Sequence, residues 1–284
     1  LNAKRLLLTG GSGLLGRTLT PILRKRYDVT HFDMIDPGDG LPFINGSLCD
    51  AAAVEAACRG MDVIVHIAAL HGQAWAKAGD HTGFEVNVMG TQNILEGARK
   101  SGAQRVVFTS SIWAAGHTPV PPAYLPIDEN LPREPFEIYG LTKKLGEQMC
   151  RFASQRWGLS TICLRPGGIC ASDVPKERRF AHLGAMVDVR DVAQAHALAV
   201  AAPDTILHDT FIVTADTVLC RIDPVTFFAD RAATLERLFP GIKAHIDSGK
   251  FDPNGITEWY SNDKAKRLLG YKPEFTFQWP ATQG

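Results

Sequence analysis

At 284 residues, 45% hydrophobic and 21% charged, the chain is long enough for one large folded core or a core with a smaller lobe, and its composition excludes a disordered or fibrous polymer. Thirty basic and thirty acidic residues cancel, so nothing points to a nucleic-acid or anionic-membrane partner. The six cysteines (Cys49, Cys58, Cys150, Cys163, Cys170 and Cys220) lack a C-x-x-C pair or zinc spacing. With no leader-like segment and no apolar run of membrane-spanning length, they predict reduced thiols, no metal site and a cytoplasmic location.

The first two-thirds alternate short apolar runs with helical patterns. The pattern predicts strands at Arg5–Thr9, Asp28–Asp33, Pro42–Asn45, Asp62–Ala68, Arg105–Ser110 and Ser160–Arg165. It predicts helices at Gly13–Arg26, Ala51–Arg59, Thr82–Ser101 and Tyr139–Trp157. Continuous Val, Ile and Leu runs between helices indicate an α/β fold, a Rossmann-type doubly wound parallel sheet covered on both faces. His117–Pro135 holds six prolines and cannot be helix. Beyond Pro166 the pattern is irregular apart from helices near Asp191–Ala202 and Pro224–Leu238. The expected organisation is a Rossmann domain over 1–165 and mostly a small substrate-binding lobe over 166–284, with the helix near 191–202 packed back on the core.

Arg5 to Gly16 reads as a strand, a glycine-rich turn and the start of a helix. Gly10, Gly13 and Gly16 permit close approach of a pyrophosphate, and the helix N-terminus at Leu14 and Leu15 supplies positive potential. The phosphate loop of nucleoside triphosphatases is a near miss, because Arg17 stands where lysine is required. Asp33 ends the second strand, where a carboxylate can accept from both ribose hydroxyls and would repel a 2′-phosphate, so the expected cofactor is NAD rather than NADP. Asp36 is a weaker competitor.

Tyr139 and Lys143 lie four apart on a helix and so share a face. A neighbouring ammonium stabilises a phenolate and is expected to lower the Tyr139 pKa from about 10 toward neutrality. Ser110 and Ser111 end a strand where a hydroxyl can reach a substrate oxygen. A hydroxyl, an acid/base and a cation are the needs of hydride transfer between an alcohol carbon and a nicotinamide. No nucleophile-elbow Gly-x-Ser-x-Gly supports a serine hydrolase.

The ordered segments Thr9–Gly16, Asp28–Asp33, Val65–Ala69, Asn87–Asn93, Phe108–Ser111, Tyr139–Lys143, Leu164–Pro166, Val187–Ala193 and Ala265–Pro273 carry a resemblance. The chain resembles an extended short-chain dehydrogenase/reductase, of the epimerase/dehydratase group. The resemblance implies Tyr139 as general acid/base and Ser111, rather than Ser110, as the hydroxyl orienting the substrate. It implies Lys143 on the nicotinamide ribose, Asn87 holding the active-site helix and a water, and Ala68 and Ala69 as the wall against the cofactor. It further implies a homodimer through the Thr82–Ser101 and Tyr139–Trp157 helices.

Two departures stand out. Gly46-Ser47-Leu48 replaces the family's Gly-Asp-Leu, leaving Ser47 and Leu48 for adenine recognition with a weaker acceptor. After Pro166 the run to Val187 is short, which argues for a small substrate. Within it, Lys176-Glu177-Arg178-Arg179 is loosely similar to the corresponding segment of uronate dehydrogenases, and Arg178 or Arg179 could clamp a carboxylate. Trp75, Trp113, His117 and Trp259 are further candidates to line the pocket. These features favour an NAD-dependent dehydrogenase of a small sugar or sugar acid, followed by an NAD-dependent sugar epimerase. Dehydration ranks last, because Ile112-Trp113-Ala114 lacks the Asp-Glu pair that reaction uses, and the reading from another class is a catalytically inactive dinucleotide-sensing protein.

Overall fold

The computed structural model describes residues 3–116, 122–171, 173 and 180–279. Its strands and helices alternate as β1 (Lys4–Thr9), α1 (Leu14–Leu23), β2 (Tyr27–Asp33), β3 (Phe43–Asn45), α2 (Ala51–Cys58), β4 (Val63–His66), α3 (Gly72–Phe84), α4 (Gly90–Ser101), β5 (Arg105–Thr109), α5 (Ile138–Trp157) and β6 (Ser160–Pro166). After these come β7 (Gly168–Cys170), β8 (Met186–Asp188), α6 (Val189–Val200), β9 (His208–Val213), α7 (Pro224–Ala229), α8 (Arg231–Leu238), α9 (Lys243–Asp247) and α10 (Asp263–Leu269).

Seven strands form one sheet in the order β3-β2-β1-β4-β5-β6-β9, and every pairing is parallel. This is the Rossmann-type sheet expected from the alternation. Successive side chains on a strand point to opposite faces, and the apolar runs divide accordingly. Leu6 and Leu8 of β1, Val63 and Val65 of β4, and Ile162 and Leu164 of β6 face α1 and α6. Leu7, Ile64 and Cys163 face α2, α4 and α5.

Three elements differ from the sequence expectation. The predicted Thr82–Ser101 helix begins ten residues earlier, at Gly72, and passes through a π-helical turn at Glu85–Met89. Gly79, at φ 82°, interrupts its first part. The predicted Pro224–Leu238 helix is two helices. Asp223 and Asp230 cap α7 and α8 in turn, and the extended backbone of Asp230 breaks the run. The tail also supplies β9, which the irregular pattern there concealed; it pairs with β6 from Thr161↔His208 to Pro166↔Val213.

The region after β9 has its own apolar cluster, including Leu219, Phe227, Leu235, Ile242 and Trp259. Trp259 is fully buried there against Phe227 and Phe228, so, unlike the pocket-lining position expected as one option from the sequence, it stands away from the main cleft. Among the described residues no helix is long and apolar enough to cross a membrane.

Candidate active site

The strand order reverses between β1 and β4, and a cleft of about 1410 Å³ opens over the C-terminal ends of β1, β4, β5 and β6. Open parallel sheets bind ligands at this position, and the volume exceeds that of an ordinary small-molecule pocket.

At one end the chain leaves β1 through Gly10, whose φ of 76° suits glycine. A Cβ on Gly10 would stand 2.8 Å from the backbone nitrogen of Ala68, and one on Gly16 would stand 2.3 Å from the carbonyl oxygen of Gly10. Gly13 caps α1 without a side-chain bond, and no acidic residue lies in the first turn. The N–H groups at Leu14 and Leu15 thus begin a helix that offers an anion-binding end, in a cradle with no room for side chains. The fit to a pyrophosphate is good. Arg17 donates to the carbonyls of Ser12 and Pro37, at 2.8 and 3.2 Å, which ties it to the loop's own backbone.

Asp33 stands at the end of β2, beside this loop. One carboxylate oxygen accepts from the Ser12 N–H at 3.0 Å and the Ser12 hydroxyl at 2.7 Å, and the other from the Met34 N–H at 2.7 Å. About one of its four acceptor positions is left, so the expectation that it takes both ribose hydroxyls needs Ser12 to release one. Ser47 and Leu48 also line the cleft. The Ser47 hydroxyl oxygen already accepts from the Cys49 N–H at 3.2 Å, which leaves its O–H to donate outward. Ala68 and Ala69 line the cleft between the two ends, and Ala68 is pinned by its N–H donating to the Thr9 hydroxyl at 3.1 Å.

At the other end α5 lies close over β5. Gly146 makes this possible, since a Cβ there would stand 2.4 Å from the Phe108 ring. The approach brings Tyr139 and Lys143 over the end of β5. The buried Lys143 ammonium donates to the Thr109 carbonyl at 2.8 Å and lies 5.2 Å from the Phe108 ring centroid and 5.9 Å from that of Tyr139. Ser111 hydrogen-bonds Tyr139 and accepts from the Trp113 N–H at 3.2 Å. Ser110 points elsewhere. Its hydroxyl donates to Glu147 at 2.5 Å, and Glu147 is paired with Arg165 through bonds of 2.8 and 2.7 Å.

Burial pushes the Lys143 ammonium down to about 8, against the opposing charge of Glu147. Burial also pushes the Tyr139 phenol up to about 12, against the Ser111 hydrogen bond. The expected lowering of the tyrosine pKa is therefore absent from the protein alone, because loss of hydration outweighs a cation held on Thr109 rather than on the phenol oxygen.

Asn87 is buried on the π-helical turn. Its side-chain oxygen accepts from the Leu70 N–H at 2.8 Å, and its amide donates to the Leu70 carbonyl at 3.0 Å and to the Thr142 hydroxyl at 3.3 Å. Asn87 thus fastens the loop after β4 to α5, one turn from Tyr139.

Trp113 and Trp75 both line the cleft and meet the Tyr139 ring edge-on, with centroids at 6.1 and 5.8 Å. Arg178, Arg179 and His117 lie outside the described residues. His71, unremarked in the sequence, lines the cleft as well. Its pKa is lowered by burial first and by the Lys143 charge second. No local pattern marks it, because the loop after β4 has no periodicity to read. His66 is the other omission. It bridges the hydroxyls of Thr9 and Thr91 at 2.9 and 3.1 Å, and Thr91 donates to the Asn87 carbonyl at 2.6 Å. Burial, then Lys143, hold its pKa down to about 3, so the bridge is neutral. Among the described residues no cluster of His, Cys, Asp or Glu could hold a metal ion.

A parallel sheet with a glycine loop at one end of its cleft and a Ser–Tyr–Lys group at the other defines an extended short-chain dehydrogenase/reductase. Residues 6–183 match the model of the NAD dependent epimerase/dehydratase family. A uronate dehydrogenase of Pseudomonas putida is 31% identical over 198 residues, covering 67% of this chain and 69% of that protein. A putative UDP-glucose 4-epimerase of Methanocaldococcus jannaschii is 31% identical over 168 residues, covering 56% and 54%. Among solved structures, a short-chain dehydrogenase/reductase superfamily protein of Agrobacterium tumefaciens with bound NAD has a TM-score of 0.73 at 24% identity, covering 96% of this chain and 93% of that one. The chain belongs to the NAD dependent epimerase/dehydratase family, a family of enzymes whose cofactor is NAD.

Proposed function

We propose that the protein is an NAD-dependent dehydrogenase of a small polyhydroxylated substrate, a sugar or sugar acid, with Tyr139 as the general acid/base. The observation that carries this reading is the grouping at the end of β5: Ser111 bonded to Tyr139, with Lys143 on the same helical face. Bound NAD supplies the nicotinamide that accepts hydride. The chain's own residues do the rest. Ser111 holds the substrate oxygen, Tyr139 takes its proton, and Lys143 holds the nicotinamide ribose and places positive charge beside the phenol. Asn87 keeps α5 in register with the loop after β4. Gly10, Gly13, Leu14, Leu15 and Gly16 receive the pyrophosphate, Asp33 the adenosine ribose, and Ser47 and Leu48 the adenine. Ala68 and Ala69 form the intervening wall.

In this reading residues 1–165 hold the cofactor and the reacting groups, and 166–284 mostly cover the substrate. Arg178 or Arg179 would meet a substrate carboxylate. A homodimer through α4 and α5 is supported by the exposed Leu141 and Phe152 on α5 and Met89 just before α4. Light scattering at the monomer mass would remove that part. A cytoplasmic enzyme fits the free cysteines. The test of the whole is NADH absorbance with a panel of sugars, aldonates and uronates. Net NADH formation supports the dehydrogenase. Tightly held NAD with interconversion of sugars and no net NADH supports the second reading, an epimerase, which the similarity to a UDP-glucose 4-epimerase favours.

Two results are expected here. Gly16→Ala should weaken NAD binding by about tenfold or more, because the new Cβ forces the loop apart at Gly10. Titration of tryptophan fluorescence with NAD checks it, and unchanged affinity would remove the loop from the site. The second concerns pH. A phenol held above its ordinary value must lose its proton to act as base, so oxidation should accelerate as pH rises from 6 toward 8, by up to about tenfold per unit, and the reverse reduction should not. Above the Lys143 value of about 8 the gain should flatten as the cation discharges. A pH-independent kcat/KM for oxidation would count against Tyr139.

A further inference from the structure

We infer that His66 is a positioning residue: held as the tautomer with its proton on Nε2, it carries a one-way run of hydrogen bonds that fixes the Ala68 wall relative to Tyr139. The inference rests on the proposed role of Tyr139 and names a residue that acts through it rather than on the substrate. His66 ends β4, and the residues after it, from Ile67 to Leu70, line the cleft. Thr9, His66, Thr91, Asn87 and Thr142 are all buried. They come in turn from β1, β4, α4, the π-helical turn and α5, so the run crosses every element that frames the cleft between the glycine loop and Tyr139.

The direction of the run follows from the protons each group carries. A threonine hydroxyl has one to give. Thr91 gives its own to the Asn87 carbonyl at 2.6 Å, so across the 3.1 Å contact with His66 it is the imidazole Nε2 that donates. Burial, then the Lys143 charge, keep the ring neutral, which leaves Nδ1 bare. Nδ1 accepts from the Thr9 hydroxyl at 2.9 Å, and the Thr9 oxygen accepts from the Ala68 N–H at 3.1 Å. The other tautomer would set Nε2 against the Thr91 oxygen with no proton between them.

Beyond Asn87 the run reaches the base. The Asn87 side chain holds the Leu70 N–H and carbonyl at 2.8 and 3.0 Å. Its amide also donates to the Thr142 hydroxyl at 3.3 Å, and Thr142 donates to the Tyr139 carbonyl at 2.7 Å. His66, Ala68 and Leu70, alternate residues of one segment, are thus each tied to a framework that ends on the Tyr139 backbone. An apolar side chain at His66 could fill the space, but it would leave two buried hydroxyls without their partner. The segment after β4 would then be free to shift against α5, and displacements of about 1 Å between reacting groups can cost about 10²-fold in rate.

The experiment uses the full chain and begins with ¹⁵N NMR of the histidine rings, with and without NAD, the His66 signals being those missing from His66→Gln. They should show a bare Nδ1 and a protonated Nε2, unchanged from about pH 5.5 to about pH 8. A proton on Nδ1, or titration within that range, overturns the inference. Turnover is then followed as NADH formation with the sugar, aldonate or uronate that the chain oxidises. His66→Leu should lower kcat about tenfold with KM changed less than about twofold, and His66→Gln, which keeps an N–H for Thr91, should recover part of the loss. Thr9→Val and Thr91→Val together should lose about as much kcat as the worse of the two alone. Additive losses overturn the inference, as does a His66→Leu protein with lowered Tm but unchanged kcat, which would leave His66 a packing residue. Tyr139→Phe separates the two ideas. If it is inactive while His66→Leu turns over as wild type, the positioning role alone fails. If it retains full turnover, the base reading fails and takes the positioning role with it.

Discussion

Tyr139→Phe is expected to lower kcat by about 10²–10⁴-fold while leaving NAD affinity within about twofold. The substitution removes one oxygen from a ring that stays packed between Trp75 and Trp113, so the cleft keeps its shape. Among the described residues the phenol is the only group that hydrogen-bonds Ser111 from α5 while lying on the same helical face as Lys143. Phenylalanine cannot take or return a proton, and no other described residue stands in the same relation to Ser111. His71 is the nearest substitute by chemistry, a titratable ring in the same cleft with its pKa lowered by burial and by Lys143. If the variant retained turnover, His71 would be the first residue to examine. The measurement is steady-state NADH formation beside an NAD titration on the same preparation. Loss of both would indicate misfolding, and loss of turnover alone isolates the phenol.

The sheet was legible because its strands are buried on both faces and therefore read as unbroken apolar runs. Leu6, Leu7 and Leu8 need no alternation, since each face has helices to cover it. The glycine loop was legible for a related reason, as Gly10 and Gly16 occupy places where a Cβ collides with backbone. The choice between Ser110 and Ser111 could not be made from strand position alone. It turns on Glu147, thirty-seven residues on, which takes the Ser110 hydroxyl and leaves Ser111 to face Tyr139.

What stayed hidden depends on contacts distant in sequence. The strand β9 follows a stretch without helical or strand periodicity, and only pairing with β6 defines it. The direction of the Tyr139 shift is not legible in the sequence, because spacing on a helix shows that a cation is near and says nothing of how much water both groups lose. The chain of Thr9, His66, Thr91 and Asn87 is equally silent in one dimension, since each link joins a different element. In three dimensions it runs from the residue before Gly10 to the residue that clamps α5. The glycine-loop end and the Tyr139 end of the cleft thus share one buried polar framework.

Glu147→Ala is the other substitution from which a large effect is expected, about 3 kcal/mol of stability, or about 5–10 °C in Tm. Glu147 is almost buried on α5, one turn after Lys143, and holds both the Ser110 hydroxyl and the Arg165 guanidinium. Burial works against the Arg165 charge, and the bonds from Glu147 more than offset it, so the arginine pKa sits above its ordinary value. Alanine would leave that cation facing Glu129, a half-buried acid whose own pKa is raised by loss of hydration and which already accepts from the Ile212 N–H at 2.8 Å. An unpaired buried guanidinium costs more than the pair was worth, which is why truncation should hurt where a matched apolar pair need not. Glu147→Gln keeps the shape and two of the hydrogen bonds, and should lose less than half as much. Thermal unfolding of both variants checks the order. Turnover should fall with the alanine variant as well, because the Ser110 hydroxyl loses its acceptor next to Ser111. Equal stability of alanine variant and wild type would mean that the apolar contacts of Cys150 and Cys163 and the Thr161 hydroxyl bond to the Cys150 carbonyl suffice to hold β6 and α5.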